Sequence, residues 1–292
     1  MSTPEPGGRT ETTAARAHEL RTRAPMFTVG APKILVSATD VMPGEWLSAA
    51  LAASDRVGDV FWFDVADGDG DAYSTYPGNK AVMIEHSGKW HDRDGTGLVD
   101  QIHALDAELR ATAHLAEAPR VVVVSTESGL WHMCKRWAEW RSVNSADARA
   151  KLHGVRKRNS RKRDDWETAP DPNAAIPIAE NLWNDAHARH RALMDVLMRM
   201  PAIVVLHAHI GVYADGTEYV EAHGDVVHRV HAHVRVPADT PPLLVTAKHW
   251  NHYREHAHGN HAKPDETLTL ESVIFDVLEY EHVRPSAPQE NP

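Results

Sequence analysis

The sequence predicts an α/β domain: a mainly parallel sheet flanked by helices, with an antiparallel β extension toward the C-terminus. Three observations predict it. Five short runs, "KILVS" (33–37), "VFWFD" (60–64), "AVMIE" (81–85), "RVVVV" (120–124) and "AIVVL" (202–206), are continuously apolar rather than alternating, as strands covered on both faces should be. Segments of helical periodicity separate several of them, which is the pattern of strands joined by crossover helices. The last third then changes character, to turns and alternating segments.

The elements follow in order. Residues 1–30 lack the apolar core of a signal peptide and are expected to be a disordered tail. Lys33 to Ser54, "KILVSATDVMPGEWLSAALAAS", has the outline of a strand, a tight loop and a helix. From Leu98 to Ala116, apolar residues fall at Leu98, Ile102, Leu105, Leu109 and Ala113, one face of a helix. In "NLWNDAHARHRALMDVLMRM" they fall at Leu182, Ala186, Leu193, Met194 and Leu197, a second such face. "HIGVYADGTEYVEA" reads as two short strands around an Asp215–Gly216 turn. "RVHAHVRV" alternates, with Val230, Ala232, Val234 and Val236 on one side and Arg229, His231, His233 and Arg235 on the other, and is expected to extend the sheet antiparallel. "PPLLVTA" is a further strand and "LTLESVIFDVLEYE" a short helix, before a frayed end over 283–292. A single domain over 31–282, with a basic linker at 149–179 inserted, is the expected organisation.

Composition narrows the function. The 292 residues are 42% hydrophobic, enough for a sizeable core, and 31 Lys+Arg stand against 41 Asp+Glu, which argues against wholesale coating of nucleic acid but allows a local basic patch. One cysteine, Cys134, excludes an intramolecular disulfide and a thiolate zinc cluster and suits a reducing cytosol. No apolar run approaches the ~20 residues that cross a bilayer, so a soluble, cytoplasmic protein is expected.

The loop after the first strand raises the chemical question. A phosphate-binding P-loop, G-x-x-x-x-G-K-[ST], needs glycines for close amide approach, a lysine for the β/γ oxygens and a hydroxyl for magnesium. In that register Ala38 stands at the first glycine, followed by Thr39, Asp40, Val41 and Met42; Pro43 stands at the second glycine, Gly44 at the lysine and Glu45 at the serine/threonine. Pro43 has no N–H to donate. A carboxylate where a triphosphate would sit shifts the local electrostatics by several kcal/mol, to order of magnitude. P-loop ATPases also carry an aspartate at the end of a buried strand for the magnesium shell. Here "RVVVV" ends in Ser125-Thr126-Glu127, leaving Glu127 as the only nearby substitute.

The ordered set "KILV", "LSAALAAS", "RVGDVFWFD", "AYSTYPG", "VVVVSTESGLWHM", "NLWNDAHARHRALM", "PAIVVL" and "LESVIFDVL" resembles the RecA-like AAA-domain (P-loop) ATPases of tailed bacteriophages, over roughly Pro32 to Leu278. The resemblance implies a RecA-like P-loop fold, ATP and Mg²⁺ binding, a role in phage DNA recombination or replication, and a bacterial host cytoplasm. It also implies a water-polarising carboxylate after "VFWFD", about where Asp67 lies. The departures fall on Ala38, Pro43, Gly44, Glu45 and Ser125, so a pseudo-ATPase is expected. ATP and Mg²⁺ serve only if the atypical loop works with Asp67 or Glu127.

Three further features bear on partners. "DVADGDGDAY" spaces Asp67, Asp69 and Asp71 like a calcium loop, but Ala72 and Gly78 break the pattern, leaving an acidic loop. The run Arg149–Arg163 holds eight cations after Trp131, Trp137 and Trp140. Within it Arg156, Lys157, Arg158, Arg161, Lys162 and Arg163 are the candidate contacts to single-stranded DNA, a position that suits DNA by the resemblance; a solvated linker is the plainer reading. Recombination or replication proteins, or further copies of the chain, are alternative partners. Of 21 histidines, 12 lie between His207 and His282, and His207, His209, His231 and His233 make a zinc hydrolase conceivable, though surface histidine explains them more simply.

Overall fold

The computed structural model describes residues 30–39, 41–65, 75–144, 178, 180–248 and 264–283, the side chains of 41–43, 143 and 144 excepted. Asp67 and its acidic loop, Asp40, the basic run with Arg156 to Arg163, the tails and His249 to His261 lie outside the described residues.

Eight strands form one sheet: β1 (Lys33–Ala38), β2 (Val60–Asp64), β3 (Ala81–Met83), β4 (Val121–Ser125), β5 (Ile203–Val212), β6 (Glu218–Glu221), β7 (Ala232–Val236) and β8 (Leu243–Ala247). Their order is β3-β2-β4-β5-β1-β7-β8, with β6 also on β5. Every neighbouring pair from β3 to β7 is parallel; β8 on β7 and β6 on β5 are antiparallel. The chain is therefore α/β with a mostly parallel, mixed sheet.

A core on each face explains the continuous apolar runs of β1, β2, β4 and β5; "AVMIE" departs from the expectation, since only Ala81–Met83 forms the edge strand β3 and Val82 is 56% exposed. Along β4, Val121 and Val123 enter one hydrophobic cluster while Val122 and Val124 enter the other, and all four are fully buried. Each such side chain contributes roughly 1.5–3 kcal/mol of burial. The first cluster packs α1 (Val41–Ala53) and the C-terminal turn, α6 (Leu270–Ser272) with the π-helical Val273–Val277, against the sheet. The second packs α2 (Leu98–Ala111), α3 (Glu127–Asn144), α4 (Glu180–Arg199) and α5 (Gly224–Arg229) on the opposite face. The two periodic helices are present: α2 buries Leu98, Ile102, Leu105 and Leu109, and α4 buries Ala186, Leu193, Met194 and Leu197. Leu182 is only half-buried, and Ala113 falls in a 3₁₀ turn beyond the end of α2.

Two further strands differ from expectation. "AIVVL" and "HIGV" are one ten-residue strand, because β6 pairs with His209–Val212 beyond the sheet's main body. Its turn uses Gly216 at φ +84°, and Tyr213 N–H donates to Thr217 C=O at 2.8 Å. β7 runs parallel to β1, not antiparallel, and its polar side is covered: His233 is 5% exposed. Alternation there reflects a buried hydrogen-bonded histidine rather than a wet face. Among the described residues no helix is long and apolar enough to cross a membrane.

Candidate functional site

Parallel strands bring their C-terminal ends to one edge, where the β1–α1 and β4–α3 junctions lie side by side, the usual place for ligands in such sheets. At the first junction the helix begins at Val41, so the stretch from Val41 to Glu45 is helical rather than loop and only Thr39 and Asp40 connect strand to helix. Gly44 packs directly on the sheet: a Cβ there would lie 3.2 Å from His207 Nδ1 and 3.3 Å from Val36 Cγ1. The position a P-loop gives to lysine is thus already filled by neighbours. Glu45, one residue on, is 2% exposed and accepts a hydrogen bond from the Ser125 hydroxyl at the end of β4. In the P-loop register these two stand at the hydroxyl and carboxylate positions of a magnesium shell. The structure brings them together with the two groups exchanged, the acid on the helix and the hydroxyl on the strand. Ala38 closes β1 at 2% exposure, while Thr39 is exposed. The described residues here do not fit a nucleotide with magnesium: they offer no cation, a proline where an amide is needed and a buried acid.

The four candidate metal histidines do not converge. His207 lies in register with Val36, on the α1 face, and its Nε2 is 2.8 Å from Ser48 Oγ. His233 lies in register with Leu35, whose side chain belongs to the opposite cluster, and its Nε2 is 2.7 Å from Ser37 Oγ. His231 sits at the other end of the strands, its Nδ1 accepting the Lys33 backbone N–H at 2.8 Å. His209 lines a cleft described below. The period of two in "HAHVRV" and the length of β5 distribute these residues over two faces and two ends of the sheet, and among the described residues no group of three His, Cys, Asp or Glu is arranged to hold a metal. Burial instead keeps three of them neutral: it pushes His207 down to about 3, and His231 and His233 down to about 4, the Lys33 charge adding to the effect at His231. Lys33 itself is pushed down to about 7 by burial, then by Arg110, while its Nζ donates to the carbonyls of Met200 and Ala202 at 3.0 and 2.6 Å.

Glu127 is the first residue of α3 and fully buried. Its Oε1 is 2.7 Å from His190 Nε2 on α4 and 3.4 Å from the His223 backbone N–H. Both partners belong to the face opposite α1, so Glu127 is committed away from the β1–α1 junction. His190 and His223 stack at 4.8 Å, and His187 Nδ1 meets His223 Nε2 at 2.9 Å, with Trp131 4.8 Å from the His187 ring. This histidine cluster, of which His190 alone is fully buried, had no signal in the sequence beyond the i, i+3 spacing of His187 and His190. Cys134, about two turns beyond Glu127 along α3, is buried; burial and the Glu127 carboxylate push its thiol up to about 12.

At the second junction a cleft of about 1010 Å³ opens between α3 and the loop that holds Lys89, Trp90 and His91. Its walls include Arg136, Trp137 and Trp140 from α3, and His209 and Glu221 from the β5–β6 hairpin. At its floor Thr126 Oγ1 accepts the Gly129 N–H at 2.9 Å, and Ser128 donates to the Glu221 carbonyl and accepts the His209 N–H at 3.1 Å. Glu221 pairs with His132 at 2.8 Å. Trp137 carries the Arg189 guanidinium 3.8 Å from its ring centre, and Trp140 is 59% exposed. The spacing of "RWAEWR" along α3 puts Arg136 and Trp140 one turn apart on one side, which is the signal from which this face is readable. Compared with known proteins, the chain matches no protein-family profile, and no curated protein matches it.

Proposed function

We propose that the chain is a catalytically retired P-loop-type ATPase of the RecA-like phage kind, serving DNA recombination or replication by holding DNA or a protein partner without turning over ATP. The observation that carries the reading is the Glu45–Ser125 hydrogen bond: an acid 2% exposed occupies the helix position at which a working loop has its hydroxyl. The crowding at Gly44 supports it, because a lysine there would need space now held by His207 and Val36. The parallel sheet with β1 inside it, between β5 and β7, is compatible with descent from such a scaffold. A fold does not dictate a task, so the DNA part rests on the resemblance and on the cation-rich run that begins at Arg149, just beyond α3.

Anisotropy of a labelled single strand, titrated with the protein alone and with ATP and Mg²⁺, tests the reading. Binding that is the same in both is expected. Binding that appears only with ATP, or release of inorganic phosphate on adding DNA, overturns it.

A further inference from the structure

We infer that the cleft beside α3 takes a single nucleotide unit, its base against the Trp137–Trp140 side and its phosphate between Arg136 and Lys89. This rests on the reading that the chain works on DNA, and it names the seat. Four observations converge. The volume, about 1010 Å³, suits a ligand of that size with room for solvent. Among the described residues Arg136 has no ion-pair partner, and Lys89 reaches only Asp92, at 3.9 Å, with a side chain 74% exposed. The acid of the cleft, Glu221, is engaged by His132 Nε2 at 2.8 Å, which leaves Arg136 and Lys89 as the cations of the lining. The indoles give apolar surface: Trp137 lines the cleft with Arg189 stacked 3.8 Å from its ring centre, and Trp140, also in the lining, is 59% exposed. Cations beside aromatic faces are what a nucleobase joined to a phosphate recognises, whether as a free mononucleotide or as one residue of a single strand.

The test uses the full chain and anisotropy of fluorescein-labelled dT20, with unlabelled dT20, dTMP and an abasic 20-mer as competitors. Three variants are compared after circular dichroism has confirmed their fold: Trp140→Ala, Arg136→Ala, and the triple reversal Arg156→Glu, Lys157→Glu, Arg158→Glu. Each cleft variant is expected to weaken binding about fivefold or more, and the abasic strand to compete worse than dT20 by a similar factor. Competition by dTMP as strong as by dT20, lost in both cleft variants, supports the free nucleotide as the ligand. Unchanged dT20 affinity in both cleft variants, with loss only on the triple reversal, overturns the cleft while leaving the DNA reading in place. No binding of dT20 or dTMP overturns both.

Discussion

Lowering the pH from 7.5 to 5 should remove a large part of this protein's stability, for a reason that can be worked from three side chains. His207, His231 and His233 are held neutral by burial, with folded values of about 3, 4 and 4. Unfolded, each titrates near the ordinary value of about 6.5. Between the folded and unfolded values the unfolded chain binds a proton that the native chain refuses, so stability is full above about 6.5 and falls as the pH drops toward 4. At pH 5 the difference is roughly 2 kcal/mol for each histidine, and about 6 for the three, against a typical total of about 5–15 kcal/mol. Geometry agrees with the sign: His231 Nδ1 accepts the Lys33 N–H at 2.8 Å, and a proton on that nitrogen removes the bond. His86, whose value burial also lowers, acts in the same direction. Guanidinium unfolding followed by far-ultraviolet circular dichroism at the two pH values measures the loss, and His207→Gln should reduce it by about 2 kcal/mol. Equal unfolding free energies at pH 7.5 and 5, within about 1 kcal/mol, would refute the assignment of neutral buried histidines.

Two substitutions probe the structure around the sites. Ser48→Ala leaves the fully buried His207 Nε2 without its 2.8 Å partner and should cost about 1–3 kcal/mol in the same unfolding assay. Gly97→Ala sets a Cβ 2.9 Å from the Asp92 backbone nitrogen, so the loop before α2 must shift; an unfolding loss of about 1–3 kcal/mol is expected, together with weaker dT20 binding, since that loop carries Lys89 to the cleft.

Much of the fold could be read in advance where local pattern decided it. Continuous valines marked β4 because both faces of that strand are covered, and α2 and α4 showed their buried stripes at helical spacing. Glu45 and Ser125 stood out in the sequence as departures from a phosphate-binding motif; that they are hydrogen-bonded to each other is visible only in the fold. What failed were readings that needed partners distant in sequence. The alternation of "HAHVRV" cannot show that Ser37, 196 residues away, waits for His233, nor that Ser48, 159 away, takes His207. The loop length failed too: helix from Val41 onward depends on Gly44 packing against β1 and β5, a contact invisible in a motif register. The cleft was half legible, through the tryptophans and cations of α3. Its other wall comes from the Lys89 loop and the β5–β6 hairpin, which only the folded chain brings near.

The retired-ATPase reading turns on whether a triphosphate has a seat at the start of α1. Equilibrium dialysis of the full chain against labelled ATP with Mg²⁺ asks this directly. The Glu45–Ser125 closure and the crowded Gly44 predict no saturable uptake at that junction up to millimolar nucleotide, so any uptake is unchanged in Glu45→Gln and lost in Trp140→Ala. Stoichiometric binding at micromolar ATP that Glu45→Gln alters and Trp140→Ala leaves untouched would contradict the account.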